Sequence, residues 1–149
     1  MSNGIKVKKR NGRGTESLNL EKMHKMVEEA TKGVAGVSAS QVEIQSGIQF
    51  YDGITTDEIQ EILIKSASDL IDLDHPNYQF VAARLLLFAI RKQIYGKMRE
   101  LPHLETHIMN CTSQDVYDKD IFTKYSKEEI DKVNGYIDHE RDFLFTYAG

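Results

Sequence analysis

The chain has 149 residues, of which 40% are hydrophobic and 28% charged, with a net charge of −4 and a single cysteine. This length and composition predict one small domain with an extension and exclude a largely disordered chain. One cysteine excludes an intrachain disulfide and a cysteine-cluster zinc site. No apolar run approaches the roughly 20 residues that span a bilayer, and the basic N-terminus lacks the apolar segment of a secretory signal. We therefore expect a cytosolic protein with no membrane partner.

The positive charge is concentrated at the N-terminus. Residues 1–13 carry five basic side chains and no acidic ones, so the rest of the chain has a net charge of −9. A nucleic-acid-binding protein usually has a broader basic face, and we expect no nucleic-acid partner. A local basic cluster on an acidic body suits a small polyanion such as a nucleoside triphosphate. A solvated basic tail without any site is the alternative that charge alone leaves open.

The basic segment has the pattern of a β-hairpin. In IKVKKR (5–10), apolar Ile5 and Val7 alternate with lysines, which is the period of a strand. NGRG (11–14) contains the residues that tight turns favour, and TESLNL (15–20) fits a return strand. Two strands alone are marginally stable in water, so the hairpin must pack against other elements.

The residues that follow are predicted to be helical. Asn19 is a candidate N-cap for a helix that Gly33 ends. Capping-box spacing marks the starts of two further helices, at residues 38–41 and 55–58, and the first of these carries apolar side chains as far as Phe50. A fourth helix begins near Pro76 and runs to about Tyr95. Because it is nearly apolar on every side through residues 81–90, we expect it to be central and buried.

The segment 97–149 has a different character. It predicts a short helix after Pro102 and a longer one that opens with the capping box of Ser126 and Glu129 and continues into FLFTY (143–147). The exposed apolar side chains of FLFTY are expected to need a partner surface. His103 and His107 are four residues apart, but no third ligand is evident, so no metal site is expected.

Several blocks of sequence together resemble a known family. The basic hairpin is followed in order by LNLEKMHKMV, QFYDGITTDEIQEILIKSASDLI and PNYQFVAARLLLFAIRKQIYG. This combination resembles an ATP-cone, the small nucleotide-binding domain at the front of many ribonucleotide reductases, over about residues 4–96. KYSKEEI and DHERDFLFTYAG resemble the start of the catalytic region in the large (alpha) subunit of aerobic class I ribonucleotide reductase, of the bacterial and T4-like phage type.

The resemblance implies a fold and a division into domains. The fold would be mainly α with a small N-terminal β-hairpin: a helical bundle capped by a short β-sheet, followed by helices that begin the catalytic region. Residues 1–96 would form the regulatory ATP-cone domain, and residues 97–149 the truncated start of the catalytic region. Cys111 matches none of the family's catalytic cysteines, so we assign no catalytic residue and expect this chain alone to be inactive.

The implied function is that of an allosteric segment of ribonucleoside-diphosphate reductase that binds ATP or dATP and controls overall activity in deoxyribonucleotide synthesis. Its partners would be the remainder of the large subunit and the small, radical-generating subunit. The alternative is a helical interaction fragment with a degenerate cone that no longer binds nucleotide. A cone-bearing bacterial repressor is disfavoured because its four-cysteine zinc ribbon is missing, and an anaerobic reductase is disfavoured by DHERDFLFTYAG.

Several side chains have the chemistry that a triphosphate requires. Lys9 and Arg10 on the hairpin can donate charge-assisted hydrogen bonds, and Thr56 lies at a helix start, where backbone N–H groups favour an anion. The resemblance places Lys9, Thr56, Lys22 and Lys92 at family positions that contact the triphosphate, and Mg²⁺ would be carried by the phosphates. The alternatives remain open: solvated charges for the cations and a plain helix start for Thr56.

The base would be recognised by a different set of residues. Glu16 can accept a hydrogen bond from the exocyclic amine of adenine, where guanine has a carbonyl, and the resemblance places Glu16 and Asn19 at base-reading positions. Glu16 could instead be a cross-strand partner for a hairpin lysine. Gln60 stands where family cones that are shut off by dATP often carry histidine. The slot for the adenine ring could be lined by Val7, Met23, Ile59 and Phe88. Packing in the core also explains these side chains.

Overall fold

A computed structural model describes residues 4–149, apart from the side chain of Asn11. Contacts separate the chain into two compact units, residues 4–89 together with Phe143–Gly149, and Ile90–Asp142. Residues 1–3 of the predicted first domain lie outside the described part. The contact boundary therefore falls at Ala89, before the predicted 96, and the end of the chain returns to the first unit. How the two parts divide function stays a prediction.

The first unit contains a three-stranded sheet and most of four helices. The strands are β1 (Lys6–Lys8), β2 (Thr15–Ser17) and β3 (Ile54–Thr55). The helices are α1 (Leu20–Thr31), α2 (Ala39–Gly47), α3 (Thr56–Asp69) and α4 (Tyr78–Tyr95), of which residues 90–95 count with the second unit. This mainly helical architecture with a short N-terminal sheet confirms the predicted fold class.

The predicted hairpin is present and forms the centre of the sheet. Strand β1 pairs antiparallel with β2 and parallel with β3, so Val7 lies opposite Glu16 on one side and Ile54 on the other. The side chain of Val7 is buried between exposed lysines, as the period of two predicts. Gly12 and Gly14 turn the chain at φ values of +66° and +90°, which glycine adopts without strain. The sequence did not mark β3, because two residues are too few for a periodic pattern.

The core of the first unit draws on every helix and on two of the strands. Side chains that are at most 3% exposed come from β1, β3 and α1–α4, namely Val7, Ile54, Val27, Val42, Leu63, Val81, Leu85 and Phe88. Removing such side chains from water is the main force that holds helices of this length in place.

Helix α4 is not buried on every side. Val81 and Leu85 are at most 2% exposed, whereas Leu86 is 37% and Ile90 43% exposed. The prediction of a fully buried helix is therefore wrong for one face. An apolar run shows that a helix can be buried, but it does not show how many neighbours will cover it.

Helix α2 is shorter than expected. It ends at Gly47, so Ile48 and Phe50 lie beyond it, and Ile44 and Ile48 are 65% and 78% exposed. Fixing a glycine in a helix has a high cost in conformational entropy, which favours ending α2 at Gly47. The Ser38 hydroxyl accepts the N–H of Gln41 at 3.4 Å, so the expected cap is present.

The chain terminus packs partly on the first unit itself. The ring of Phe143 meets that of Phe88 edge-to-face at 6.1 Å, and the guanidinium of Arg84 lies 5.2 Å from its centre. The N–H of Tyr147 donates to the carbonyl of Gln79 at 3.1 Å. Phe145 remains 61% exposed, which agrees with the expectation of an unpartnered apolar end for that side chain.

The second unit is helical. It contains α5 (Leu104–Ser113), α6 (Ile121–Lys124) and α7 (Lys127–Asn134), and a 3-10 turn spans His139–Leu144. Both halves of the Ser126–Glu129 capping box are formed. The expected continuation of this helix into FLFTY is wrong, because α7 ends at Asn134 before Gly135. Arg91 is 7% exposed and pairs with Asp142 at 2.8 Å.

Within residues 4–149, none of the helices combines the length and the apolar character needed to cross a membrane.

Candidate functional site

The sheet fixes the basic hairpin beside the start of α3. The N–H of Gly53 donates to the carbonyl of Lys6 at 2.8 Å, and the N–H of Lys6 donates to Asp52 Oδ1 at 2.9 Å. The second of these bonds joins residues 46 positions apart in sequence. Gly53 has φ +85°, a conformation that side-chain-bearing residues rarely adopt. The ladder therefore sets the distance between the hairpin cations and the helix that begins at Thr56.

The start of α3 is built with a complete capping box. Thr55 Oγ1 accepts the N–H of Glu58 at 3.1 Å, and the Glu58 carboxylate accepts the N–H of Thr55 at 2.8 Å. This backbone hydrogen bond, followed by that from the Tyr51 hydroxyl, holds the pKa of Glu58 below its usual value. Thr56 is the first helical residue, at the positive end of the helix dipole.

Lys9 and Glu16 meet across the hairpin. Lys9 Nζ lies 2.7 Å from Glu16 Oε2, and both side chains are 42% exposed. The hydrogen bond from Lys9 is the largest cause of the lowered pKa of Glu16, and the charge of Lys22 adds to it. Asn19 caps α1 through its Oδ1, which accepts the N–H of Lys22 at 2.9 Å. The structure thus brings together Lys9, Glu16, Asn19 and Lys22, which the sequence analysis had assigned to opposite ends of one nucleotide.

Arg10 is held by α3 rather than by the hairpin. Its Nε donates to Asp57 Oδ1 at 2.8 Å, and its Nη2 contacts the same oxygen. Nη2 also lies 3.4 Å from Gln60 Oε1, and Gln60 is 7% exposed. Arg10 and Gln60 are therefore neighbours. Asp57 was missed by the sequence analysis, although its place directly after Thr56 in the first turn of α3 was a usable signal.

The predicted ring contacts are mostly buried. Val7, Ile59 and Phe88 are 3%, 8% and 1% exposed, and Phe88 packs on Phe143. Met23, at 9%, borders a cavity of about 450 Å³ that the residues before β1, the end of β2, α1 and α2 enclose in part. The apolar side chains that line this cavity with Met23 are Ile5, Leu18, Leu20, Ile44 and Phe50.

Lys92 is exposed and lies in the last turn of α4, within the second unit. The cone residues discussed above all belong to the first unit. The predicted contact of Lys92 with a nucleotide therefore stays a prediction.

Three side chains of a metal-ligating type come together at one place in the described part of the chain, namely His103, Glu105 and Asp131. His103 Nδ1 accepts the N–H of Glu105 at 3.2 Å as the cap of α5, and His103 Nε2 lies 3.5 Å from Asp131 Oδ1. With Nδ1 used as an acceptor, a neutral ring carries its proton on Nε2, facing Asp131. The trio is thus arranged as a hydrogen-bonded helix cap, and we assign no metal to it.

A basic hairpin is thus locked beside a helix start on a helical core, an arrangement that can bind an anion. The sequence matches the family model described as "ATP cone domain" over residues 5–93, which is more than half of the chain. The chain therefore belongs to the ATP cone domain family.

Relatives of named activity extend the comparison. The chain is 45% identical over 148 residues to ribonucleoside-diphosphate reductase 1 subunit alpha of Escherichia coli (strain K12) and 44% identical over 148 residues to the subunit alpha of Haemophilus influenzae. It is 40% identical over 137 residues to the subunit alpha of Enterobacteria phage T4. These alignments cover 99%, 99% and 91% of this chain but 19%, 19% and 18% of the relatives. The predicted family is confirmed, and the comparisons give no support to the alternative of a degenerate cone.

Proposed function

We propose that the first unit binds ATP or dATP, with Mg²⁺ carried on the phosphates, and acts as the allosteric regulatory segment of a ribonucleoside-diphosphate reductase. The observation that carries this proposal is the parallel pairing of β1 with β3. It holds the cations of the hairpin, Lys9 and Arg10, beside the start of α3, where backbone dipoles favour an anion. Family membership and the identity to reductase alpha subunits support the same conclusion.

The phosphates would be bound from two sides. Lys9 and Arg10 supply charge-assisted donors from the hairpin, Thr56 supplies the helix start, and Lys22 and Lys92 add charge from α1 and α4. Mg²⁺ needs few protein ligands when it rides on phosphate oxygens, so no dedicated protein cage is required.

The adenine ring would be read at the base of α1. Glu16 lies on β2, Asn19 caps α1, and Met23 borders the cavity one turn further along. A carboxylate that accepts the exocyclic amine of adenine finds a carbonyl on guanine, which leaves the acceptor unpaired and costs affinity. Because Glu16 pairs with Lys9 in the free protein, base recognition would also release Lys9 toward the phosphates.

Regulation would act through assembly in the cytosol of a bacterium or of a phage-infected bacterium. The effector would bias how the remainder of the large subunit and the small subunit associate, which requires that it bind two assembly states with different affinities. The chain spans about a fifth of the length of the reductase subunits that it matches, so the chemistry belongs to the part of those relatives beyond the aligned segment.

Gln60 bears on the direction of regulation. It is buried beside Arg10 and offers an amide oxygen, where dATP-inhibited cones often carry an ionisable histidine. An amide cannot take up charge at neutral pH. We infer that nucleotide binding survives while inhibition by dATP is weakened. In an enzyme reconstituted with the remaining subunit parts, Gln60→His should be inhibited more strongly by dATP than the parent, and equal inhibition would contradict this inference.

The test of the proposal is calorimetric titration of the purified chain with ATP, dATP and GTP in the presence of Mg²⁺. We expect saturable binding of the adenine nucleotides, weaker binding of GTP, and loss of binding in Lys9→Ala and Lys92→Ala. Lys65→Ala is the matched control, because Lys65 is an exposed lysine near the far end of α3 that pairs with Asp69. Absence of binding by a folded chain would overturn the proposal, and GTP binding as tight as ATP would remove the role of Glu16.

A further inference from the structure

Arg10 is held by a carboxylate where the proposed function requires a phosphate. Asp57 is the second residue of α3, in its first turn, and its Oδ1 contacts both Nε and Nη2 of Arg10. Two features here would attract a phosphate: the guanidinium of Arg10 and the positive end of the α3 dipole. The carboxylate of Asp57 occupies both.

The contact can open without unfolding. The side chain of Arg10 is 34% exposed and that of Asp57 is 54% exposed, so both groups reach solvent. Asp57 is not part of the capping box, in which Thr55 and Glu58 satisfy each other. Helix α3 therefore keeps its start when Asp57 releases Arg10. Gln60 Oε1, 3.4 Å from Nη2, is a neutral acceptor that can stay close to the guanidinium.

We infer that Asp57 is an internal competitor of the phosphates, from which a ligand must take Arg10 before it can bind fully. The inference rests on the proposed nucleotide function and deepens it, because it adds a step in which the ligand takes a cation from a carboxylate of the protein. A triphosphate carries several negative charges and displaces a single carboxylate readily. A monophosphate carries at most two, gains little over the carboxylate and leaves Arg10 on Asp57. The latch formed by Arg10 and Asp57 thus lowers the affinity for a triphosphate, which must open it, and hardly changes the affinity for a monophosphate, which leaves it closed.

The expected effect follows from the exposure of the pair. An exposed ion pair of this kind corresponds to about a two- to fivefold change in an equilibrium constant. Asp57→Asn should therefore bind ATP about two- to fivefold more tightly than the parent at low salt. The gain should shrink at high salt, because exposed charges are screened. AMP, which leaves the latch closed in the parent, should gain less than ATP, so the ratio of the two affinities should widen.

The experiment is titration of the full chain with ATP, AMP and inorganic tripolyphosphate, each with and without Mg²⁺. Asp69→Asn is the matched control, because it removes the same charge from the other end of α3, where Asp69 pairs with Lys65 at 2.8 Å. Circular dichroism checks that both variants are folded. The latch predicts tighter binding of ATP and tripolyphosphate by Asp57→Asn and unchanged binding by Asp69→Asn.

The outcomes separate this inference from the proposed function. Parent binding of ATP with no gain in Asp57→Asn overturns the latch and leaves the nucleotide site standing. Weaker binding in Asp57→Asn that appears only with Mg²⁺ also overturns it and makes Asp57 a metal ligand. Suppose that Asp57→Asn binds tripolyphosphate more tightly than the parent does, and that the parent binds ATP no more tightly than tripolyphosphate. This result supports the latch but overturns the adenine site. No binding of any probe to parent or variant overturns both.

Discussion

Phe143 should stabilise the first unit although it lies more than fifty residues beyond α4's buried Phe88. Its half-buried ring packs edge-to-face on Phe88 at 6.1 Å and receives the Arg84 guanidinium at 5.2 Å. Truncating a fully buried phenylalanine costs about 3–5 kcal/mol. Because this ring is only partly buried, Phe143→Ala should lower the free energy of unfolding by about 2 kcal/mol, of which the aromatic geometry supplies about 0.5–1.5 kcal/mol.

The assay is urea unfolding of the full chain, followed by circular dichroism. A loss of about 2 kcal/mol corresponds to a midpoint lower by roughly 1 M, given the slopes of small domains. Phe145→Ala is the control, since Phe145 lies two residues away and is 61% exposed. It should change the midpoint little. Equal midpoints for Phe143→Ala and the parent would refute the reasoning that the terminal segment belongs to the first unit.

Three further predictions concern stability. Glu58→Gln should be less stable than the parent at neutral pH and equal to it in strong acid. Because the pKa of Glu58 is lowered in the folded protein, its contribution to the free energy of unfolding is present above its unfolded pKa of 4.5. The contribution is lost as pH falls through the folded pKa. Glu43 raises the pKa of His24, so His24 contributes stability that is present below its unfolded pKa of 6.5 and lost as pH rises through its folded pKa. His24→Gln should remove this contribution to stability. Melting temperatures between pH 3 and 9 test both variants. Gly53→Ala should lower the free energy of unfolding by about 1–2 kcal/mol, because φ is +85° at Gly53. Gly47→Ala should not lower it, and thermal unfolding of both variants tests this difference.

Local chemistry made much of the fold predictable. Capping signals at Asn19, Thr55 and Ser126 each mark an observed helix start, because a cap depends on a few adjacent residues. The alternation around Val7 likewise predicted a strand. Strand β3 and the end of α7 were not predictable in the same way. Strand β3 is defined by its pairing with β1, and helix α7 ends before Gly135 although the apolar pattern of the sequence continues beyond it.

The candidate site was predicted as a set of residues but not as a set of contacts. Resemblance named Lys9 and Glu16, and side-chain chemistry named Arg10, yet the free protein pairs the first two with each other and Arg10 with Asp57. Such pairings join residues from different elements, and their partners depend on the register of the sheet and on the helix that β3 leads into. A single sequence contains no direct record of that register.

The pairing of β1 with β3 also constrains the order of folding. Lys6 and Asp52 are separated by 46 positions, so the hairpin can dock only after a long loop has closed. Helices α1 and α3 form from local contacts and need no such closure. During synthesis, β1 therefore leaves the ribosome before β3 and can pair with it only when residue 55 has emerged. The proposed effector site is consequently a late product of folding, and a deletion through Lys8 would remove it while leaving the local signals for every helix in place.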